Sequence, residues 1–238
     1  MPSTSRHLLR LLALAGVLTL AACSQRQVVY VQPAVDPEQL ALALEDKTSL
    51  LEPVRIVFAW QLNESGMRVR GRGVARIEPP YKARLDLFLG NGETVVRAAL
   101  VDGELRLPPG APEGILPPAD LMWGVLGVFR PLYGTELLGA DRMADNAEAL
   151  QLRYRYADAR ELHFRVEDGR VRSLEMQKDG HAVERVELGL EEGSRYPVEA
   201  TYRNLAAFRE LKLTRESVER VESYPPDIWD PTSVRGIR

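Results

Sequence analysis

The chain has one cysteine, Cys23, three histidines, and aromatic residues at only 7% of its length. A lone cysteine has no partner for an internal disulfide, so a fold in an oxidising compartment must hold without one. Beyond residue 22 the histidines are His163 and His181, with no carboxylate or second histidine at metal-ligand spacing. His163, on the polar parity of "RELHFRVE", reads as an exposed or edge histidine, and His181, after a turn glycine, as a solvated one. G-x-S-x-G, H-E-x-x-H and a phosphate-cradling glycine loop are all missing. Ser65, Ser173, Ser194 and Ser217 fall in turns or on polar faces, and Glu191-Glu192 and the Asp-Gly pairs have the character of turns. No catalytic residue and no metal ligand is assigned, and no enzymatic activity is expected. A basic surplus is missing too: the formal net charge of −3 argues against nucleic acid as a partner.

Long apolar runs are scarce, and the longest lies at the N-terminus. Arg6 and Arg10 precede "LLRLLALAGVLTLAAC", which ends in small residues before Cys23. A positive start, a short apolar core and small residues at the cut describe an export signal over residues 1–22. Leu11 to Ala22 is 12 residues, short of the about 20 that a membrane span needs. "LTLAAC" resembles the bacterial lipobox, which implies that Cys23 is acylated and becomes the first residue of the mature chain. The alternative is an ordinary export signal with a chance cysteine. Acyl chains on Cys23 give durable membrane anchoring, and they are the only prosthetic group expected. Ser24, rather than Asp, follows the cysteine, which by resemblance to lipoprotein sorting points to the outer membrane. Cleavage before Cys23 leaves 216 residues with a net charge of −5, enough chain for one domain with a real core.

What remains is dominated by alternation. In "MRVRGRGVARI", Met67, Val69, Gly71, Gly73, Ala75 and Ile77 share one parity, while Arg68, Arg70, Arg72 and Arg76 share the other. Period two marks a strand whose faces meet different surroundings. Acids are scattered through the neighbouring strands at Glu78, Asp86, Glu93, Asp102 and Glu104, so cross-strand pairing on a solvated face accounts for the arginines. Residues 23–37 read as an acylated tether. Asp36-Pro37 opens a helix with Leu40, Leu44, Leu50 and Leu51 toward one face and Pro53 closing it. Strand-like segments follow, turned at Asn91-Gly92, Asp102-Gly103, Asp168-Gly169 and Asp179-Gly180. The alternation breaks at 108–134, a proline-rich stretch in which Ala119 to Phe129 reads as a helix apolar nearly all round. Residues 223–238 read as an irregular tail.

About eleven strands and two helices result, a mainly β (α+β) chain. Strands ~4.8 Å apart make a sheet too wide for two helices ~10 Å across to roof. A strongly bent antiparallel sheet, or incomplete β-barrel, capped by a helical lid satisfies both counts. Small residues on the inner parity (Gly71, Gly73, Ala75 and Ala83) permit tight curvature and leave room. The cup would suit an acyl chain; a dry core without ligand is the alternative.

The lipobox, the leading helix, the meander of half-polar strands and the proline-flanked apolar helix resemble the LolA/LolB-like lipoprotein-handling family, and its anchored LolB-like member in particular. "RLDLFLGNGETVVRAAL" resembles the strand–loop–strand with a protruding apolar loop, and "PADLMWGVLGVF" the lid helix. Over residues 38–222 the resemblance implies a half-barrel that binds acyl chains of lipid or lipoprotein cargo. It implies a cavity and lid lined by Leu121, Met122, Trp123, Leu126 and Phe129, with Val69, Leu85 and Leu87 from the sheet. Phe88 and Leu89 would form the loop that dips into the inner leaflet of the outer membrane; the alternative is the end of a buried strand. A periplasmic LolA-like chaperone would be the donor. A structural or assembly lipoprotein of the cell envelope is the other reading.

Overall fold

The computed structural model describes residues 30–33, 36–112, 114–144, 146 and 148–232, with side chains from Asp36 onward. The export signal, Cys23 and most of the tether lie outside the described residues.

Helix α1 (Pro37–Thr48) begins where Asp36 Oδ1 accepts from the Gln39 backbone N–H at 2.9 Å, satisfying one orphan donor of the first turn. It stops earlier than the leucine pattern suggests. Ser49 donates its hydroxyl to Asp46 O at 2.8 Å, so Leu50 turns into the core while Leu51 is left exposed. Thirteen antiparallel strands follow the order β1-β7-β8-β9-β10-β11-β12-β13-β2-β3-β4-β5-β6. They are β1 (Tyr30–Pro33), β2 (Val54–Glu64), β3 (Met67–Glu78), β4 (Lys82–Leu89), β5 (Thr94–Val101), β6 (Glu104–Arg106), β7 (Glu136–Met143), β8 (Leu150–Arg155), β9 (Glu161–Glu167), β10 (Arg170–Lys178), β11 (His181–Gly189), β12 (Glu199–Asn204) and β13 (Arg209–Arg220). The two strands beyond the expected eleven are β1, hidden in the tether, and β7, whose alternation is broken by a register shift between Leu137 and Gly139. They pair with each other. Two meanders, β2–β6 and β7–β13, join where β13 pairs with β2, and the sheet curls without closing between its edges β1 and β6.

The inner parity is as expected, but the room is not. Gly73 lies beneath Phe58: a Cβ there would sit 2.4 Å from the Phe58 ring. Gly71 leaves a gap through which the Trp60 indole N–H reaches Arg72 O and Phe88 O, both at 3.1 Å. A Cβ on Gly71 would fall 1.8 Å from Phe88 O. The small residues of β3 therefore receive the large aromatics of β2 instead of leaving a hollow, because facing positions in a packed interior alternate large with small.

The connection from β6 to β7, residues 107–135, crosses the concave face and carries α2 (Ala119–Val125). The helix ends four residues before Phe129 because Gly127 takes φ +79 and Val128 N–H closes back on Trp123 O at 3.0 Å, a glycine-terminated helix end. It packs on β10, β11 and β12. The Phe129 N–H donates to Thr48 Oγ1 at 2.9 Å, tying the roof to α1.

The convex face carries the charges. A row in register runs Arg153, His163, Glu175, Arg185, Arg203, Glu210, Asn63 and Arg68 across β8 to β3. Within it Arg185–Glu175 and Arg203–Glu210 are ion pairs at 2.5 and 2.8 Å. Arg72 pairs with Glu216 at 2.6 Å. Two expectations for this face need correction. His163 is buried rather than exposed, held by Gln151 on Nδ1 and Glu161 on Nε2, both at 3.1 Å. Asp86 is not solvated: it is 0% exposed, with Arg76 Nη1 at 2.5 Å and Arg84 Nε at 3.1 Å. The tail is the cause. Residues 224–232 fold back over β4 and β5, Pro226–Trp229 forming a 3-10 turn, and Arg84 Nη1 donates to Ile228 O at 2.8 Å. Burial holds the Arg76 guanidinium below its ordinary pKa, against the pull of Asp86.

Candidate functional site: the lid and its hollows

The lid side chains meet where the sequence places them. Leu121, Met122 and Trp123 are 0% exposed, and Leu126 and Phe129 are buried. Leu85 and Leu87 of β4 face them from the sheet. Trp123 meets the Tyr81 ring edge-on at 5.9 Å, and the Tyr81 hydroxyl donates to Glu45 of α1 at 3.0 Å. Phe129, Tyr154 and Phe164 form a triangle of rings with centroids 4.6–6.1 Å apart. Burial pushes the Tyr154 hydroxyl up to about 12, so it stays neutral.

Val69 does not belong to this set. It is 40% exposed near the start of β3, because β4 ends at Leu89, in register with Gly71, and leaves Val69 without a neighbour on that side. Phe88 and Leu89 do not protrude either. Both are half-buried, Leu89 packs on the core, and the turn beyond them exposes Gly90, Asn91, Gly92 and Glu93. The apolar side chains that do reach solvent at this rim lie on two other hairpins. Met67 is 68% and Phe208 85% exposed, and Glu64 in register with Met67 and Arg209 places their turns side by side. This pair was missed because a turn-flanking Met or Phe carries no periodic signal.

Beneath the lid the concave face is nearly full. A void of about 40 Å³ lies between Val125, Leu126, Phe58 and Leu85, far below the roughly 300–1,000 Å³ of a usual ligand pocket. Larger hollows bracket the helix. One of about 280 Å³ lies at its C-terminal end, against Leu126–Val128, Lys47 and the 190s turn. Another of about 340 Å³ lies at its N-terminal end, against Leu116–Pro118.

The helix between them carries one buried polar atom without a partner and one buried carboxyl. The buried Trp123 Nε1 has no acceptor among the described residues, a cost of roughly 1–3 kcal/mol. Burial pushes the Asp120 carboxyl above the usual carboxylate range, against the opposing pull of Tyr156 and Arg160. Tight apolar packing thus holds the helix in place although its indole N–H goes without an acceptor among the described residues.

The geometry defines a class: an open, curled antiparallel sheet whose apolar concave face is roofed by a short helix on a crossing strap. No protein-family model matches the chain, and no curated protein matches it. Among solved structures it is similar to a LolA superfamily protein from Nitrosomonas europaea, at 11% identity and TM-score 0.55, covering 82% of this chain and 98% of that one. It is also similar to a putative outer membrane lipoprotein-sorting protein domain from Vibrio parahaemolyticus, at 7% identity and TM-score 0.54, covering 81% and 95%. The fold is the LolA-like open barrel. No helix among the described residues is long and apolar enough to cross a membrane.

Proposed function

We propose that the protein is a LolB-like envelope lipoprotein, anchored in the outer membrane through acyl chains on Cys23, that binds acyl chains of lipid or lipoprotein cargo on its concave face. The task is binding and transfer, not chemistry on a substrate, and no cofactor beyond the anchor takes part. One observation carries the reading: a continuous apolar face is covered by a seven-residue helix bracketed by hollows and holding a buried indole N–H without an acceptor among the described residues. Displacing α2 would expose Leu85, Phe58 and Leu174 as an acyl-binding floor. Apolar contacts with a chain then replace those with the helix at little net change in buried area. A LolA-like chaperone is the donor in this reading. Met67 and Phe208, rather than Leu89, make the membrane contact, since a half-buried Leu89 cannot leave the core without cost.

The small size of the void beneath the lid, about 40 Å³, favours a second reading, a structural envelope lipoprotein with a dry core. Mass spectrometry of lipids extracted from the purified Cys23→Ala chain separates the two. The transfer reading expects bound lipid and displacement of an apolar fluorescent probe by fatty acyl chains. Absence of both leaves the dry core. Met67→Glu with Phe208→Glu should leave the melting temperature unchanged and weaken vesicle binding; unchanged vesicle binding removes these hairpins from the mechanism.

A further inference from the structure

The two hollows at the ends of α2 differ in charge. The N-terminal one has Arg160 and Glu184 in its wall, opposite signs in one space. The C-terminal one is lined by Lys47, Arg170 and Arg195, and no Asp or Glu lines it among the described residues. That is unusual in a chain with more acids than bases. Of the carboxylates near its mouth, Glu191 pairs with Arg215 at 2.8 Å, and Asp168, 3.8 Å from Arg172, also attracts Arg170 from outside the hollow's lining. Lys47 Nζ donates to the Asp168 backbone carbonyl at 2.6 Å. Arg170 donates to the carbonyls of Glu191 and Ser194 at 3.0 and 2.5 Å. These bonds orient the two cations but supply no countercharge. Arg195 is exposed and has no ion-pair partner among the described residues. Burial and the neighbouring Arg172 hold the Arg170 guanidinium below its ordinary pKa, with Asp168 the opposing influence.

The deeper walls are apolar, with Val128, Val171 and Leu190. Leu126 and Tyr196 line both this hollow and the void under the lid. Leu126 and Tyr196 are thus the wall between the cationic hollow and the apolar void over the floor of the sheet.

We propose that this hollow is the head-group site for an anionic single-chain amphiphile, its carboxylate or phosphate held by Lys47, Arg170 and Arg195 and its tail passing Leu126 beneath the lid. The inference rests on the acyl-binding reading and adds a charge requirement to it. Charge-assisted hydrogen bonds in a partly dry mouth favour the anion, and the absence of lining carboxylates removes its repulsion. An uncharged lipid would leave three cations facing solvent and gain only the tail contacts.

The test is isothermal titration of the Cys23→Ala chain with laurate, dodecyl phosphate, 1-dodecanol and inorganic phosphate. Laurate and dodecyl phosphate should bind at least about tenfold tighter than dodecanol, the difference expected for a hydrogen bond to a charged group. Inorganic phosphate, lacking the tail, should bind far more weakly than either. Arg195→Gln, whose side chain holds nothing in the fold, should cut the preference severalfold, and adding Lys47→Met should abolish it while dodecanol binding persists. Equal affinity for laurate and dodecanol, or a preference untouched by both substitutions, overturns the head-group site and leaves acyl binding standing. Failure of every alkyl ligand to bind overturns the acyl-binding reading itself. Inorganic phosphate binding as tightly as dodecyl phosphate would show a bare anion site and also overturn the proposal.

Discussion

The two faces of the curled sheet hold the molecule by different means. The concave face is packed with side chains at 0–9% exposure, from Trp60 through Leu85 to Phe164 and Trp123, and its cohesion is non-directional. A non-directional contact can be exchanged for another apolar surface. The convex face is held by ions. Most of these are exposed ladder pairs such as Arg203–Glu210 and Arg203–Glu187, of small net worth because water competes for each partner. The exception is Arg76–Asp86–Arg84, which the C-terminal segment seals from solvent. Charge in the open is nearly free to lose, charge under a cover is not, and grease can be swapped.

Substitutions can break that comparison. Asp86→Ala should have the largest effect, a loss of about 3–5 kcal/mol on chemical denaturation, because two buried guanidinium groups lose their anion. A loss below about 1 kcal/mol would mean that water enters the cluster and that the tail is not a seal. Trp123→Ala should cost up to a similar amount, about 3–5 kcal/mol for a fully buried indole, offset by relief of its unpaired N–H. It should also speed entry of an apolar probe beneath the lid, whereas Asp86→Ala should not. Asp120→Asn sharpens the case at the small end. A carboxyl whose folded pKa is raised stabilises the fold below its unfolded pKa, and that contribution is lost as pH rises through the folded value. The wild-type lid should therefore be tighter in acid than at neutral pH, and Asp120→Asn should flatten the dependence in thermal melts compared across pH. An unaltered pH dependence in the variant would place the titration on another group.

Legibility followed periodicity. The alternation of β2, β3 and β4 puts Ile56, Ala75 and Leu85 on one face in adjacent register, and that alone predicted both the strands and their inner side. The lid residues were legible for the complementary reason: Leu121 to Phe129 is apolar on every side and must be covered. Strand β7 was not, since its bulge destroys the period. Val69 was misplaced because parity tells the side of a strand but not how far the strand extends past its neighbour, here β4. Asp86 and His163 were misread because a polar residue on the outer parity is solvated only if nothing folds over it. Lys47, Arg170 and Arg195 come from three separate elements, with nothing local to join them.

Sequence alone determined that this chain is an alternating antiparallel sheet with one greasy segment too apolar to leave uncovered, since period and hydropathy are properties of neighbours along the chain. Only the tertiary structure decided that Phe58 and Trp60 fill the space above Gly73 and Gly71, that the tail seals Asp86, and that cations gather at one end of the lid. Those outcomes depend on contacts between residues far apart in the chain, where volume and solvent access are set by what arrives from elsewhere.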